Sequence, residues 1–208
     1  ARVRQNGTVE QDFFNITLWK NNRTYRFAFG TKMDIEEDKK EAAHALQTAR
    51  EEIFLLPEDK YRSVPDAAES SEAVYRGKLL DEACIPDTVL SPASGLDFTG
   101  IYAQGMICKG VITSSGAKHW FQTETFGADY SLWLENGRGI KSLYAGTEWN
   151  DEEYRHKLLK AKEGLAVLTV PQKKLSPGKY CAFISPDALT DVTAFFSWNG
   201  FGERAMQQ

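Results

Sequence analysis

The feature that most constrains the fold is the alternation of apolar and polar side chains between residues 97 and 149. Such alternation is typical of strands, whose successive side chains point to opposite faces of a sheet. The alternating runs cover residues 99–106, 118–124, 128–135 and 140–148. They are separated by Ser114-Ser115-Gly116, by Gly127 and by Asn136-Gly137, and glycine and asparagine tolerate the positive φ angles of tight turns. The sequence therefore predicts an antiparallel β-meander which, with flanking helices, gives an α+β fold.

A second hairpin and a helix precede the meander. Residues 13–29 alternate and are interrupted by Asn21-Asn22-Arg23, which predicts a β-hairpin. From Asp34 to Leu56-Pro57 apolar side chains recur at three- and four-residue spacing, with charged side chains between them. This pattern predicts an amphipathic helix with Asp34 as its N-cap.

The other segments complete a predicted arrangement in two parts. Residues 58–96 are polar and predict a connecting segment, with a short helix-compatible stretch at 69–84. After the meander we predict a helix from Asn150 to Gly164, strands at 166–170 and 179–185, and a helix at 186–196. The first part is then residues 1–96, and the second part, with the meander, is residues 97–208.

Composition narrows the class of function. Of the 208 residues 42% are hydrophobic and 26% charged, which is typical of a globular protein. The net charge of −4 argues against a nucleic-acid partner, because that affinity depends on many Lys and Arg contacts to phosphates. No apolar run approaches the ~20 residues of a membrane helix, so we expect a soluble, cytoplasmic protein without a membrane partner. The three cysteines, Cys84, Cys108 and Cys181, are expected to be reduced and buried.

Few residues indicate catalysis. His44, His119 and His156 have no metal-ligand spacing, and His44 and His156 fit ordinary helix positions. His119 can be interpreted either as a structural residue or, because it precedes two aromatic residues, as a residue that faces a ligand. A cysteine nucleophile, Cys84 or Cys108, with His119 as base is an open alternative without a supporting motif.

Aromatic side chains are concentrated on the predicted meander, and most of them must form its core. A minority on an open face would provide a surface for a peptide substrate or a protein partner, since aromatic residues are enriched at interface centres. The candidate residues for this surface are His119, Trp120, Phe121, Tyr130 and Trp133.

Four segments resemble the TldD/PmbA family in order and spacing. The most specific is residues 175–189, Leu-Ser-Pro-Gly-Lys-Tyr-Cys-Ala-Phe-Ile-Ser-Pro-Asp-Ala-Leu, which is similar to the family's junction of Pro-Gly, extended strand, proline and helix. The others are Pro57-Glu58-Asp59, the Ser114-Ser115-Gly116 turn after Gly110, and the aromatic run at 120–123. The resemblance implies a two-part α/β architecture like the family's N-terminal part, and a cytoplasmic role in proteolysis or peptide maturation.

The resemblance also implies what this chain lacks. In TldD-type chains the helix after the matching strand carries H-E-x-x-x-H, whose histidines bind zinc and whose glutamate can activate the metal-bound water. Alignment on Tyr180 puts these three positions near Ala194, Phe195 and Asn199, and no histidine follows His156. The resemblance therefore implies the PmbA/TldE type, with no catalytic residue, metal or cofactor in this chain. It further implies that the natural chain continues past Gln208.

Three hypotheses follow. The first is a non-catalytic subunit that pairs with a TldD-type chain, or with itself, in a metallopeptidase complex. The second is a stand-alone module whose sheet edge binds an extended peptide by strand addition. The third is a hydrolase that uses a cysteine or a serine.

Overall fold

The computed structural model describes residues 2–64, 66–197 and 200–207, with only the backbone described at Asp187. These residues form two compact units. The hairpin unit contains residues 5–64, 66 and 200–207, and the sheet unit contains residues 2–4 and 67–197. Antiparallel strands with flanking helices confirm the predicted α+β class. None of the described helices is long and apolar enough to cross a membrane.

The hairpin unit is built on strands β1 (Phe13–Lys20) and β2 (Arg23–Gly30), which pair antiparallel from end to end. Between the strands, Asn21 and Asn22 have φ angles of 46° and 55°. Asparagine tolerates this left-handed conformation better than most residues. The hairpin predicted from the sequence is therefore confirmed.

Helix α1 (Ile35–Glu52) packs on this hairpin. The Asp34 side chain accepts hydrogen bonds from the backbone N–H groups of Glu36 and Glu37, at 2.9 and 3.0 Å, which confirms Asp34 as the N-cap. The buried apolar side chains on the helix and on the 3-10 turn that follows are Ala45, Ala49 and Ile53.

A short C-terminal helix, α5 (Glu203–Gln207), belongs to the same unit. The Tyr61 hydroxyl donates to the Gln207 side chain at 2.9 Å, and Arg204 lies 3.4 Å from the carboxylate of Asp59. These polar contacts hold α5 against the segment that follows α1.

The sheet unit is organised around strand β5 (Lys118–Trp133). Strand β4 (Asp97–Ile112) pairs antiparallel with β5 along its whole length. On the other side, β5 pairs parallel with β3 (Ser71–Val74) and antiparallel with β6 (Gly139–Gly146). The sheet is therefore four-stranded, with β4 alone along one side of β5.

The predicted turn at Gly127 is wrong, because β5 is one continuous strand there. Gly127 pairs with Ala103 of β4 on one side and with Ala145 of β6 on the other. Three small residues thus lie side by side across the sheet. Glycine can lie inside a strand without forming a turn, and the strands that pair with it lie far away in sequence.

The segment at 58–96 is more than a connection. Its predicted helix-compatible stretch instead contains β3, and Tyr75 just beyond it donates its N–H to the carbonyl of Gln122 at 2.9 Å. Helix α2 (Ile85–Leu90) follows, between 3-10 turns at Glu82–Cys84 and Ser91–Ala93. A four-residue strand is too short to show a clear alternation of apolar and polar residues in the sequence. Its pairing with β5 identifies it as a strand.

The core of the sheet unit lies under helix α3 (Asp151–Val167), which packs on β5 and β6. The predicted N-cap Asn150 is confirmed, since its side chain accepts from two backbone N–H groups of the first turn. The helix continues through Gly164, where an added Cβ would lie only 2.5 Å from Ile140. Gly164 therefore allows close packing on β6 and is not a helix end, and the strand predicted at 166–170 is wrong.

The C-terminal part of the sheet unit has one regular element. Helix α4 (Pro186–Ser197) confirms the helix predicted from Pro186. Residues 171–185 form neither helix nor strand, so the strand predicted at 179–185 is wrong. A strand needs a neighbour for its hydrogen bonds, and no described strand pairs with this segment.

All three cysteines are exposed, so their predicted burial is wrong. Cys84 ends a 3-10 turn, Cys108 lies on β4, and Cys181 lies in the irregular segment before α4. All three positions lie outside the hydrophobic core.

Replacing Gly137 with valine is expected to lower the free energy of unfolding by ~1 kcal/mol or more. Gly137 has a φ of 78° in the β5–β6 turn, and an added Cβ would meet nothing within 4 Å. The cost is therefore one of backbone conformation, and Gly137→Asn should lose much less. Urea denaturation measures both variants, and an unchanged midpoint for Gly137→Val would contradict this turn geometry.

Candidate functional site

The two faces of the four-stranded sheet differ in what covers them. The strand registers pair odd-numbered residues with odd-numbered ones, so each face carries residues of one parity. Even-numbered side chains of β5 and β6 meet α3 and form the core. Odd-numbered side chains form what we call the open face, on which no described element of the sheet unit makes a second layer.

The open face is rich in exposed apolar side chains. Their exposed fractions range from 40% at Phe121 to 75% at Ile101. Its members are Tyr75, Ile101, Ile107, Val111, Phe121, Trp133 and Leu143. On the same face they are interspersed with polar side chains such as Asp129, Ser131 and Lys141. Several exposed apolar side chains on one face of a sheet are typical of an interaction site.

The five site residues predicted from the sequence do not share one surface. His119, Phe121 and Trp133 lie on the open face. Trp120 and Tyr130 point to the other side, where Tyr130 is 1% exposed in the core. Tyr130 thus stabilises the fold, and three of the five residues remain as surface candidates.

Trp120 is exposed although it points to the core side, because β4 and β5 extend beyond the core. Residues 106–112 and 118–121, called here the ribbon, are exposed on both faces of the sheet. Trp120 is 43% exposed, close to the 41% of Trp133 on the open face. These two tryptophans therefore form a matched pair on opposite faces.

Two polar contacts between described residues lie on the open face. The hydroxyl of Ser71 lies 2.8 Å from Nδ1 of His119, and Lys141 lies 3.1 Å from the carboxylate of Asp129. The Lys141 and Asp129 charges compensate each other, so the centre of the face is close to neutral. The surface suits an apolar or aromatic partner better than a strongly charged one.

The cysteine–histidine alternative gains no support from the geometry. Cys108 is paired with Gln122 and has the parity of the core side, whereas His119 lies on the open face. None of the described contacts brings Cys84, or a carboxylate, to His119. His44 and His156 are exposed on α1 and α3, as their ordinary reading implies.

The positions that match the family's zinc site lie on and after α4. Ala194 and Phe195 are exposed on this helix, and Asn199 lies outside the described residues. Among the described residues, no group of three or more His, Cys, Asp or Glu is arranged to hold a metal ion. Every described side chain of α4 is exposed, including the apolar Leu189 and Val192.

Buried tyrosines on the core side are structural groups. Burial raises the pKa of Tyr102 to about 12, and burial also raises the pKa of Tyr154. Tyr154 donates its hydroxyl proton to the carbonyl of Val89 at 2.9 Å. A phenol held neutral and hydrogen-bonded in a core stabilises the fold and does not act as an acid or base near neutral pH.

Sequence reasoning missed the part of the open face that β4 contributes. Ile101, Ile107 and Val111 belong to it, and all three are β-branched residues at odd positions. The sequence of β4 could have revealed it, because β4 has apolar residues at both odd and even positions. In a strand with one solvated face, apolar and polar residues alternate.

Comparison with known proteins finds no relative of this chain, since no family model, curated protein or solved structure matches it.

Proposed function

We propose that this chain is a PmbA/TldE-type, non-catalytic subunit of a cytoplasmic TldD-like metallopeptidase complex, with a fold similar to the N-terminal part of that family. Its role is to bind a TldD-type chain that carries the zinc site. The complex then acts in proteolysis or peptide maturation.

The observation that carries the proposal is the sequence of α4 and of the segment that leads into it. Residues 175–189 hold the most specific resemblance, and α4 begins at Pro186 as that junction implies. At the positions of the family's zinc site the helix has Ala194 and Phe195, which offer no metal ligand. Residues 179–185 do not form the strand of that junction, so the proposal rests on the helix and its missing ligands. A chain that keeps this helix without the ligands suits a partner role.

The open face supplies a surface for that partner. Trp133, Phe121 and Ile101 are exposed by 41%, 40% and 75%, and no described helix of the sheet unit packs over them. Lasting interfaces usually bury on the order of 2,000 Å² or more and are rich in apolar and aromatic side chains. A TldD-type chain that covers the open face would bury side chains of this kind.

The test compares Trp133→Asp with its matched control Trp120→Asp in co-expression with a TldD-type chain of the same genome. Trp133→Asp is expected to weaken the complex by at least ~2 kcal/mol, about 30-fold in Kd, because a carboxylate would be buried at the interface. Trp120→Asp changes an equally exposed tryptophan on the other face and should leave the complex intact. Gel filtration and titration of purified chains measure the two effects.

Zinc content and peptidase activity complete the test. Zinc and cleavage of an unstructured peptide are expected in the complex, and neither in the separately purified full natural chain. A chain that cleaves peptides unaided, or that never associates with any H-E-x-x-x-H relative, would contradict the proposal. If it binds peptides tightly without a partner, the stand-alone peptide-binding module is the better description.

A further inference from the structure

The outer edge of β4 has no partner among the described strands. β4 lies at the end of the sheet, β5 is the one described strand that it pairs with, and none of its 16 residues is buried. An edge strand presents a row of free N–H and C=O groups, which is a template for another strand. Natural edges of this length are usually blocked by proline, by several charges or by a bulge.

These protective features are almost absent from β4. The strand has no proline, and its pairing with β5 runs without a bulge from Asp97 to Ile112. Only Asp97 and Lys109 carry charge. The edge is therefore long, regular and open to pairing.

The hydrogen bonds identify which backbone groups face outward. Just beyond β4, the Thr113 N–H donates to the carbonyl of Ala117 at 3.0 Å, across the turn that leads to β5. Because the register continues without a break, the odd-numbered residues of β4 bond to β5. The even-numbered residues, from Phe98 to Ile112, direct their N–H and C=O groups to the free edge.

The two charges of β4 make the edge complementary to itself. Asp97 and Lys109 are both odd-numbered, so both lie on the open face, and Ala103 is midway between them. In an antiparallel pairing of two copies about Ala103, each Asp97 lies opposite Lys109 of the other copy. Any other register loses both charge pairs.

We propose that this chain self-associates through its β4 edges, antiparallel, with Ala103 opposite Ala103 of the second copy. The even-numbered residues between Phe98 and Cys108 then form the inter-chain hydrogen bonds, and the odd-numbered ones form the non-hydrogen-bonded pairs. Two four-stranded sheets become one continuous sheet with both open faces on the same side. Exposed ion pairs add little affinity, so the backbone hydrogen bonds hold the two strands together. The role of the Asp97–Lys109 pairs is to select the register.

A second copy fits this edge better than an extended peptide does. A second copy brings an Asp97 and a Lys109 of its own, so that both charges of each β4 strand meet an opposite charge, whereas an arbitrary peptide supplies no such match. The inference goes beyond the proposed function, because it concerns this chain alone and needs no TldD-type partner.

Disulfide trapping tests the register directly. In the full chain with Cys84, Cys108 and Cys181 changed to serine, Ala103→Cys is expected to form an inter-chain disulfide on mild oxidation. Non-hydrogen-bonded antiparallel pairs have Cα atoms about 4.5 Å apart, within the range of about 4.4–6.8 Å that disulfides span. The control is Ile101→Cys, an exposed position on the same face, which lies opposite Gly105 in this register and should cross-link poorly.

Charge variants test the same interface without a cross-link. Lys109→Glu is expected to weaken self-association about tenfold, because two attractive pairs become repulsive. Adding Asp97→Lys should restore it by reversing both charges. Sedimentation over a concentration series measures the dimer.

The outcomes separate the possibilities. A monomer at every concentration with no cross-link from Ala103→Cys overturns the inference. Stronger cross-linking from Ile101→Cys also overturns it, because it would show another register. Peptide binding to the β4 edge without self-association would assign the edge to strand addition instead. None of these results depends on a TldD-type chain.

Discussion

Replacing Tyr154 with alanine is expected to lower the free energy of unfolding by about 3–5 kcal/mol, as for other large aromatic side chains removed from a core. Tyr154 is 1% exposed on α3 and lies at the centre of an aromatic cluster. Its ring centroid is 5.0 Å from that of Trp149 and 5.9 Å from that of Tyr144. The variant loses these contacts and leaves a cavity between α3 and the sheet.

Tyr154→Phe is the matched control, because it keeps the ring and removes only the hydroxyl that donates to the Val89 carbonyl. It should cost about 1 kcal/mol, the usual net value of one hydrogen bond. Urea denaturation followed by circular dichroism measures both variants. If Tyr154→Ala were as stable as the natural protein, α3 could not be docked on the sheet as described.

Replacing Gly100 with alanine is expected to cost about 3 kcal/mol, the upper part of the usual range for overpacking. A Cβ at Gly100 would lie 2.6 Å from the carbonyl oxygen of Asp129 and 2.7 Å from the Cβ of Tyr130. These atoms belong to the paired strand and its core residue, so the β4–β5 ladder itself must shift.

Gly105→Ala, on the same strand, provides the comparison. An added Cβ there would meet nothing within 4 Å, and the change should be neutral or stabilise by about 0.5 kcal/mol through reduced backbone entropy. Thermal unfolding of the two variants side by side measures the difference. Equal losses at both positions would mean that glycine matters for strand flexibility and not for close packing.

The chemistry of neighbouring residues in the sequence was sufficient to predict several structural elements. Asn21, Asn22 and Gly137 adopt the left-handed backbone conformation that their residue types favour. Asp34 and Asn150 cap their helices, because a short polar side chain reaches the first N–H groups. Such features depend on residues within a few positions of one another.

Features that depend on distant contacts could not be predicted in this way. Gly127 and Gly164 have the appearance of breaks, but one lies between Ala103 and Ala145 and the other packs against Ile140. Only the tertiary fold brings these neighbours together. The same holds for β3, whose four residues become a strand because β5 is beside them.

The candidate site was predictable only in part for a similar reason. Alternation already puts Trp120 and Phe121 on opposite sides of β5, whatever the fold. Which side becomes core depends on where α3 docks, and that decides that Tyr130 is buried while Trp133 is exposed. The aromatic content was therefore visible in the sequence, but its division between core and surface was not.

Because of the ribbon, the two ends of β4 and β5 differ in how well they tolerate substitutions. Near Tyr130, a substitution at an even-numbered position of either strand meets the packed layer beneath α3, as the atoms around Gly100 show. In the ribbon, residues 106–112 and 118–121, both faces are exposed, and a new side chain there has no packed layer to disturb. The protein can therefore change the recognition properties of the ribbon by mutation, including those at His119 and Trp120, while the structural half of each strand stays as it is.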